Sequence, residues 1–566
     1  MTTAIDQLFS QYVQPDNHQA SDYFRLIKQL VAMRPDPAAE TALARAYGLV
    51  EEEIRTNPNP PAKEISFGTS GWRGIIGKDF SLKSVAQVTQ AIVEMYQAAA
   101  ADPRLAEALG VRDIEEARSR GAVVGYDNRF GGRLMAQKVV EVLTGNGFTV
   151  HYAAEATTGT LSASVLVLRA AFSINLTPSH NPLEYAGFKF NAADAGPAAS
   201  TVTNRITENA RRLLASDKEV SAMANRSLIR ECDALECWRQ LMDRGATLHG
   251  LDYREIIKKF QHDEKCVLAV DCVHGASRVH IRDLLGSPQT DRLIMFRDNA
   301  DPTFGGVAPE PSQTNMQGVM KALARREEPL KLGVIIDPDA DRIRFTDGDV
   351  QIDMNLFGAM AFHHLHEGKG KKGLVAKTVA TSNFANAVAA KLGAEMFEPR
   401  VGFKEFKPVI GKALVCFEES DGISVIGHTP EKDAYIGLIL ALDMILSRRQ
   451  NLGDYLRQLQ AEFGLYCPAR GGVEVSKQGK ELLDALAGLE RYGIGATATV
   501  GGREIRIAEV ITIDGRKMIM EDGSWIMIRP SGTEPKVRFY VEARDESGKE
   551  ALFATARGML AEIGLL

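Results

Sequence analysis

The residues with the clearest chemical potential are Asp337-Pro338-Asp339-Ala340-Asp341-Arg342, directly after the apolar run Leu332–Ile336. In an extended segment alternate side chains point the same way, so three carboxylates at spacing two can converge on one hard cation. Oxygen ligands of this kind suit Mg²⁺, Mn²⁺ or Ca²⁺ rather than zinc. Pro338 lacks an N–H and helps to end the strand. An EF-hand is excluded, because Arg342 stands where that loop needs glycine and Gly348 where it needs glutamate. The plain alternative, a solvated acidic turn, is weakened by the buried strand in front.

Four further segments carry candidate groups. In Thr177-Pro178-Ser179-His180-Asn181-Pro182 two prolines stiffen the loop on either side of a hydroxyl. A serine held at one fixed place is what in-line phosphoryl transfer demands. His180 and the downstream Lys189 could relay a proton or supply charge. In Arg529-Pro530-Ser531-Gly532-Thr533-Glu534-Pro535 a guanidinium, two hydroxyls and N–H groups around a glycine make a phosphate cradle, with Arg538 close by. Cys416-Phe417-Glu418-Glu419-Ser420-Asp421-Gly422 places carboxylates and a hydroxyl at the tip of a strand, which suits vicinal sugar hydroxyls. Gly402-Phe403-Lys404 and Lys432-Asp433 could add anion contacts, although lysines on loops are usually only solvated. In Phe67-Gly68-Thr69-Ser70-Gly71-Trp72-Arg73-Gly74 the glycines allow close backbone approach to a ligand and Arg73 adds charge. Taken singly, each of these loops could be an ordinary turn.

Other patterns carry less. No G-K-[ST] run exists, so there is no Walker A loop. Gly493-Ile494-Gly495-Ala496-Thr497-Ala498 resembles a dinucleotide fingerprint but lacks a strand before it. His363, His364 and His366 beside Lys371 and Lys372 read as a solvated helix end, and Cys232 and Cys237 near Trp238 as core. The six cysteines form no CxxC pair and suit a reducing compartment. A net charge of −6 gives no footprint for nucleic acid. The N-terminus has early acids and no apolar signal core, which implies a cytoplasmic protein. The longest apolar stretch, Ala434–Leu442, ends at Asp443, short of the roughly 20 residues that cross a bilayer.

The elements that must hold these loops are legible in outline. With 566 residues, three to five domains are expected. Residues 1–60 read as polar helices ending in the breaker run Asn57–Pro61. Beyond them, short apolar runs alternate with helical patterns: Ala122–Gly125 before a helix near Leu134–Leu143, then Val267–Val270, Leu332–Ile336, Leu374–Ala376 and Leu414–Phe417. Such alternation argues for βαβ units in largely parallel sheets, with ligand residues just past the strands' carboxyl ends. From about residue 460 the pattern changes. Gly501–Ile513 and Ser524–Glu542 alternate like antiparallel strands, and Lys549–Leu560 reads as a final helix.

In their order and separations the five segments resemble the α-D-phosphohexomutase superfamily; TPSHNP, DPDADR and RPSGTEP together make the match specific, and it spans residues 67 to 540. The resemblance implies an α/β fold of four domains, three with mixed sheets and a C-terminal α+β domain, around a central cleft. On this sequence the domains would be 1–222 with the phosphoserine loop, 223–347 with the metal loop, 348–457 with the sugar loop and 458–566 with the phosphate loop. It implies that Ser179 is the phosphoserine, that one Mg²⁺ is held by Asp337, Asp339, Asp341 and the Ser179 phosphate, and that Glu418 and Ser420 bind the sugar. Arg529, Ser531, Gly532 and Thr533, with Arg538, match the phosphate loop. Arg73, His180, Lys189 and Arg342 match charged catalytic positions, and Thr69, Ser70, Gly402, Phe403, Lys404 and Lys432 match substrate contacts. Length, the EES-x-G pattern and the run Asn191–Thr203 are most like phosphoglucomutases, although Phe417 stands where those carry glycine and Asp421 follows Ser420. The implied activity is interconversion of glucose 1-phosphate and glucose 6-phosphate, with glucose 1,6-bisphosphate as activator and intermediate. Phosphomannomutase, phosphopentomutase and glucose-1,6-bisphosphate synthase activities are alternatives within the superfamily. From other classes come a metal-dependent phosphosugar phosphatase and a non-catalytic phosphosugar-binding protein. Small hexose phosphates are the expected partners, without nucleic acid or membrane, for a monomer or homodimer.

Overall fold

The computed structural model describes residues 4–68, 71–216, 220, 223–531 and 536–566. The chain divides into two compact units: Met1–Thr247 with Leu251–Gln351 and Gly427–Ser447, and Leu248–Gly250 with Ile352–Ile426 and Arg448–Leu566.

The first unit opens on helices Ala4–Tyr12, Tyr23–Ala32 and Pro37–Thr56. The expected polar character of residues 1–60 holds for one face only. Leu26, Ile27, Leu30, Val50 and Ile54 are fully buried in the same core as Trp72 and Phe188. Counting charges hid this stripe, which recurs at helical spacing. The strands that follow are β1 (Trp72–Ile75), β2 (Ala122–Tyr126), β3 (Val150–Glu155), β4 (Phe172–Leu176), β5 (Tyr185–Asn191) and β6 (Ile229–Glu231). They form one sheet in the order β1-β5-β4-β2-β3-β6. β2 runs parallel to β3 and β4, whereas β5 is antiparallel to β4 and β1. A second sheet joins β7 (Cys266–Asp271), β8 (Leu293–Phe296), β9 (Leu330–Ile336), β10 (Ile343–Thr346) and β11 (Gln351–Ile352) in the order β11-β10-β9-β7-β8. β7 is parallel to both neighbours and β10 antiparallel to β9. β7 is buried throughout and β9 at all but one residue, as unbroken apolar strands covered on both faces should be. The sheets are thus parallel at their centres but mixed. The reversals come where a loop of chemical interest turns straight back, at residues 177–184 and 337–342.

The second unit holds two further sheets. β12 (Leu374–Lys377), β13 (Met396–Phe397), β14 (Ala413–Glu418) and β15 (Gly422–Val425) pair in the order β13-β12-β14-β15, with β14 and β15 as a hairpin. β16 (Cys467–Glu474), β17 (Thr497–Val500), β18 (Arg503–Ile511), β19 (Arg516–Met520), β20 (Trp525–Pro530) and β21 (Lys536–Ala543) form an antiparallel sheet in the order β16-β21-β20-β19-β18-β17. Helix Gly548–Glu562 packs on it through Leu552, Ala556 and Leu560. This is the expected C-terminal α+β body.

The histidine run is not a solvated helix end. Helix Met354–His363 continues into a π turn over His364–Gly368, where His364 and His366 are buried. His363 Nδ1 lies 2.7 Å from the Tyr455 hydroxyl and His366 Nδ1 2.6 Å from a Glu367 oxygen. Cys237 is core as expected, and Cys232 is half-buried beside Ser164.

Candidate active site

Ser179 lies just past the carboxyl end of β4, buried, with φ +57°. That left-handed backbone is uncommon for a residue with a Cβ and persists where surrounding contacts enforce it. Its Oγ donates to Asp337 Oδ2 at 2.8 Å, and His180 Nδ1 lies 3.4 Å from Ser179 Oγ. Gly187 on β5 explains how the loop can pack so closely: a Cβ there would stand 2.2 Å from the Thr177 carbonyl oxygen.

The three aspartates do converge, but the backbone is not the extended one that spacing two suggested. After β9 the chain turns, with Ala340 at φ +54° and Asp337 N–H donating to the Arg342 carbonyl at 3.3 Å. Asp337 Oδ1 stabilises the turn by accepting the N–H groups of Asp341 (3.0 Å) and Arg342 (3.1 Å). All three are buried, and one oxygen from each lies within 4.8 Å of the others, the one such cluster among the described residues.

Cations surround this cluster. Lys189, on β5, donates to Asp339 Oδ2 at 2.6 Å and Asp341 Oδ2 at 2.8 Å. Lys432 Nζ is 3.4 Å from Asp341 Oδ2 and Arg342 Nε 3.6 Å from Asp341 Oδ1. Lys432 is buried rather than solvated, so the general expectation for loop lysines fails here. Its segment is held by Asp433, which accepts from the Trp238 indole at 2.5 Å and contacts His428 Nε2 at 2.6 Å. The Ala434 N–H donates to the Ala340 carbonyl at 2.9 Å. Thr158 gives its N–H to the Asp339 carbonyl and its hydroxyl to Asp339 Oδ2, at 2.8 and 2.9 Å.

The electrostatics follow. Burial, reinforced by Asp339 and Asp341, pushes Asp337 well above the usual carboxylate range. Burial acts on Asp341 the same way, but Lys189, Lys432 and Arg342 outweigh it and hold Asp341 well below that range. Burial opposes the charge on Lys189, yet Asp339, Asp341 and Glu431 raise it further above its ordinary value. Burial, with Arg342 and Arg73, drives His180 well below its usual range. Arg73, in β1, is lowered by burial and by Arg342.

The donor set fits a divalent cation. Asp339 Oδ1 and Asp341 Oδ1 are buried with no hydrogen-bond partner among the described residues. Buried carboxylate oxygens are rarely left so, and three oxygen donors on one side of a pocket suit Mg²⁺.

Sequence reasoning missed Asp127 and Arg129. They follow β2, the strand expected at 122–125, and the signal was their position just past its carboxyl end. Arg129 donates to the carbonyls of Ser179 (2.7 Å), Pro182 (2.5 Å) and Asn181. Asp127 Oδ2 accepts the Thr177 hydroxyl at 2.6 Å, and Thr177 Oγ1 accepts the Ser179 N–H at 2.8 Å.

The remaining expected residues lie in the second unit. Glu418 ends β14, buried, and accepts the Ser420 hydroxyl at 2.7 Å across the hairpin tip. Glu419 accepts hydroxyls from Thr378 (2.6 Å) and Thr381 (3.2 Å). Phe417 points into the core, where a Cβ on Gly358 would meet its ring at 2.1 Å. Asp421 is buried at φ +71° and accepts the Met354 N–H at 3.3 Å. Arg529, in β20, pairs with Asp514 at 3.1 Å and lies opposite Arg538 in β21. The Ser531 N–H donates to the Lys536 carbonyl at 2.8 Å. Gly402 has φ +127° and starts a 3-10 turn in which Phe403 packs edge-on against Phe406, with Lys404 half-buried. Thr69, Ser70, Gly532 and Thr533 lie outside the described residues.

Comparison with known proteins covers most of the chain. Residues 64–216, 252–350 and 353–463 match the phosphoglucomutase/phosphomannomutase alpha/beta/alpha domains I, II and III, and residues 473–558 match its C-terminal domain. A phosphoglucomutase of Komagataeibacter xylinus is 24% identical over 90% of this chain and 93% of its own. A phosphoglucosamine/phosphogalactosamine mutase of Sulfurisphaera tokodaii is 23% identical over 85% and 96%. In fold the chain is similar to the open form of parafusin, a phosphoglucomutase from Paramecium. The TM-score is 0.71 at 20% identity, over 90% of this chain and 96% of that one.

Proposed function

Because the chain belongs to the phosphoglucomutase/phosphomannomutase family of the α-D-phosphohexomutase superfamily, mutases of the isomerase class that act by phosphoryl transfer, we propose that it interconverts glucose 1-phosphate and glucose 6-phosphate. The carrier is a phosphorylated Ser179 and the intermediate is glucose 1,6-bisphosphate. One observation carries this reading: a buried serine hydroxyl 2.8 Å from Asp337, beside three converging carboxylates, two of whose oxygens accept no hydrogen bond among the described residues.

Phosphoserine 179 gives its phosphoryl group to the free hydroxyl of a hexose monophosphate. The serine P–O bond breaks as the sugar P–O bond forms, and the hydroxyl proton passes to the neutral imidazole of His180, while Lys189, which keeps its own proton among the carboxylates, supplies charge. The bisphosphate then presents its other phosphate, which returns to Ser179 and leaves the isomer. Mg²⁺ held by Asp337, Asp339 and Asp341 would supply positive charge to the transferring phosphoryl oxygens. Arg73 and Arg342 add fixed charge beside the carboxylates. Glu418 and Ser420 bind the sugar hydroxyls. Arg529 and Arg538, with Ser531, Gly532 and Thr533, grip the phosphate that is not reacting, and Asp514 pre-orients Arg529. Thr69, Ser70, Gly402, Phe403, Lys404 and Lys432 complete the substrate contacts. Water must be kept from the phosphoserine, or the enzyme becomes a phosphatase.

Glucose is favoured over mannose, glucosamine or pentose by the EES-x-G loop. The two departures in that loop do not argue against it, since Phe417 fills the space beside Gly358 and Asp421 shapes a turn. No described helix is long and apolar enough to cross a membrane, and a cytoplasmic monomer or homodimer is the setting this reading implies.

The test is a coupled assay across glucose, mannose, glucosamine and pentose 1-phosphates, with a trace of glucose 1,6-bisphosphate. Glucose 1-phosphate should turn over with the highest kcat/KM, and Ser179→Ala should abolish it. Release of free phosphate without isomerisation would favour the phosphatase instead.

A further inference from the structure

Ser179 is held by its main chain as well as by its side chain, and the groups that hold it come from a different strand. The Arg129 guanidinium is buried and meets three carbonyl dipoles of the serine loop, those of Ser179, Asn181 and Pro182. Its Cζ lies over the Phe304 ring, 4.5 Å from the ring centre, a cation–π contact that adds to its hold. Asp127, fully buried, accepts the Arg129 N–H on Oδ1 at 3.0 Å and the Thr177 hydroxyl on Oδ2 at 2.6 Å. The Thr177 oxygen in turn accepts the Ser179 N–H at 2.8 Å. The serine's N–H and C=O are therefore both tied, by two routes, to residues 127–129. Ser179 adopts φ +57°, a conformation unfavourable for an L-residue that persists where contacts impose it. None of these ties uses Ser179 Oγ, which instead donates to Asp337 in the aspartate cluster.

We propose that Asp127, Thr177 and Arg129 form a positioning relay that fixes Ser179 in its left-handed backbone and so aims Oγ at the aspartate cluster. This rests on the reading of Ser179 as the phosphoryl carrier. The relay touches neither the sugar nor the transferring group. Weakening it should lower turnover without changing how tightly substrate binds, because an ångström of misplacement costs about 10²-fold in rate.

Thr177→Val keeps nearly the same shape and removes the hydroxyl, Thr177→Ser keeps the hydroxyl, and Arg129→Lys keeps charge but loses the three-point grip. Each full-length variant is incubated with glucose 1,6-bisphosphate, and its phosphoserine content is titrated by intact mass. kcat per phosphorylated molecule and KM for glucose 1-phosphate are then measured with Mg²⁺ present. The relay predicts a fall in normalised kcat of about 10- to 100-fold for Thr177→Val and Arg129→Lys, with KM within about threefold. Thr177→Ser should stay within about threefold of the parent. Unchanged normalised kcat in Thr177→Val and Arg129→Lys overturns the relay, as does an equal loss in Thr177→Ser. Ser179→Ala run in parallel separates the two claims. If it is inactive while Thr177→Val is normal, only the relay fails; if it is fully active, the carrier fails as well.

Discussion

In the first unit three aspartates share a buried pocket with Lys189 and Lys432, and two carboxylate oxygens are left without a hydrogen bond among the described residues. In the second unit two lysines share a buried pocket with acids, and the lysines lack nothing. Lys377 Nζ reaches Glu398 at 2.8 Å and donates to the Thr381 carbonyl at 3.1 Å. Lys517 Nζ donates to the Val379 carbonyl and Asn383 Oδ1, both at 2.9 Å, and lies 4.3 Å from the Trp525 ring centre. Glu542 accepts the Trp525 indole at 2.7 Å and the Asn383 N–H at 3.0 Å. The lysines respond oppositely. Lys189, facing two carboxylates, holds its proton above the ordinary range, whereas burial beside Lys377 pushes Lys517 down to about 7. Each cluster leaves a carboxylate oxygen without a hydrogen bond among the described residues, Glu542 Oε2 in the second. Among the described residues three carboxylates converge only in the first, as a further cation requires, whereas the second satisfies its cations internally and holds β12 and the loop after it to β19–β21.

That contrast is sharpened by mutating each cluster in turn. The largest effect is expected in the first: Asp339→Asn should cut kcat by about 10²- to 10³-fold, because a fixed charge at the transferring group is lost. Its melting temperature in metal-free buffer should hardly fall. An Asp339→Asn enzyme with near-parental activity would break the comparison. Next, Mg²⁺ added after chelation should restore activity and raise the melting temperature of the parent, and do neither in Asp339→Asn, as ligand linkage requires. Activity indifferent to strong chelation would contradict the reading of the aspartates.

In the second cluster the readout should switch from rate to stability. Lys377→Met removes the nearer cation from Glu398, leaving it Lys517 at 3.6 Å, and should cost about 1–3 kcal/mol in chemical denaturation, with kcat per folded molecule little changed. The smallest effect concerns pH. Between about 7 and its ordinary value near 10.5, Lys517 binds a proton in the unfolded chain but not in the folded one. Unfolding free energy should therefore rise with pH across that window, and the penalty should be complete below about 7. Lys377, Glu398 and Glu542 face the same ammonium and modulate the slope. Lys517→Met should flatten it; an identical slope in the variant would show that other groups set it.

The difference between the clusters also marks what could be read from sequence. Asp337-Pro338-Asp339-Ala340-Asp341 announced itself because its ligands are neighbours in the chain, and an apolar strand before a loop is a local pattern. The convergence was legible while its backbone was not: the turn depends on Ala340 at φ +54°, where sequence offered no glycine to signal it. Lys377, Glu398, Lys517 and Glu542 were invisible, because each is an ordinary charged residue until two sheets bring them together. Arg129 and Asp127 were hidden for a milder reason, since they act on carbonyls and hydroxyls of a loop 50 residues away. The parallel centres of the first three sheets followed from their apolar runs. The antiparallel β5 and β10 did not, because a direct turn back after a functional loop leaves no hydrophobic period of its own.

The account stands or falls on where the phosphoryl group rests. Enzyme incubated with ³²P-labelled glucose 1,6-bisphosphate, digested and sequenced by mass spectrometry, should carry label on Ser179 alone. The label should leave with the sugar within one turnover when unlabelled glucose 1-phosphate is added. Label on another residue, or full isomerase activity with Ser179 unlabelled, would contradict it.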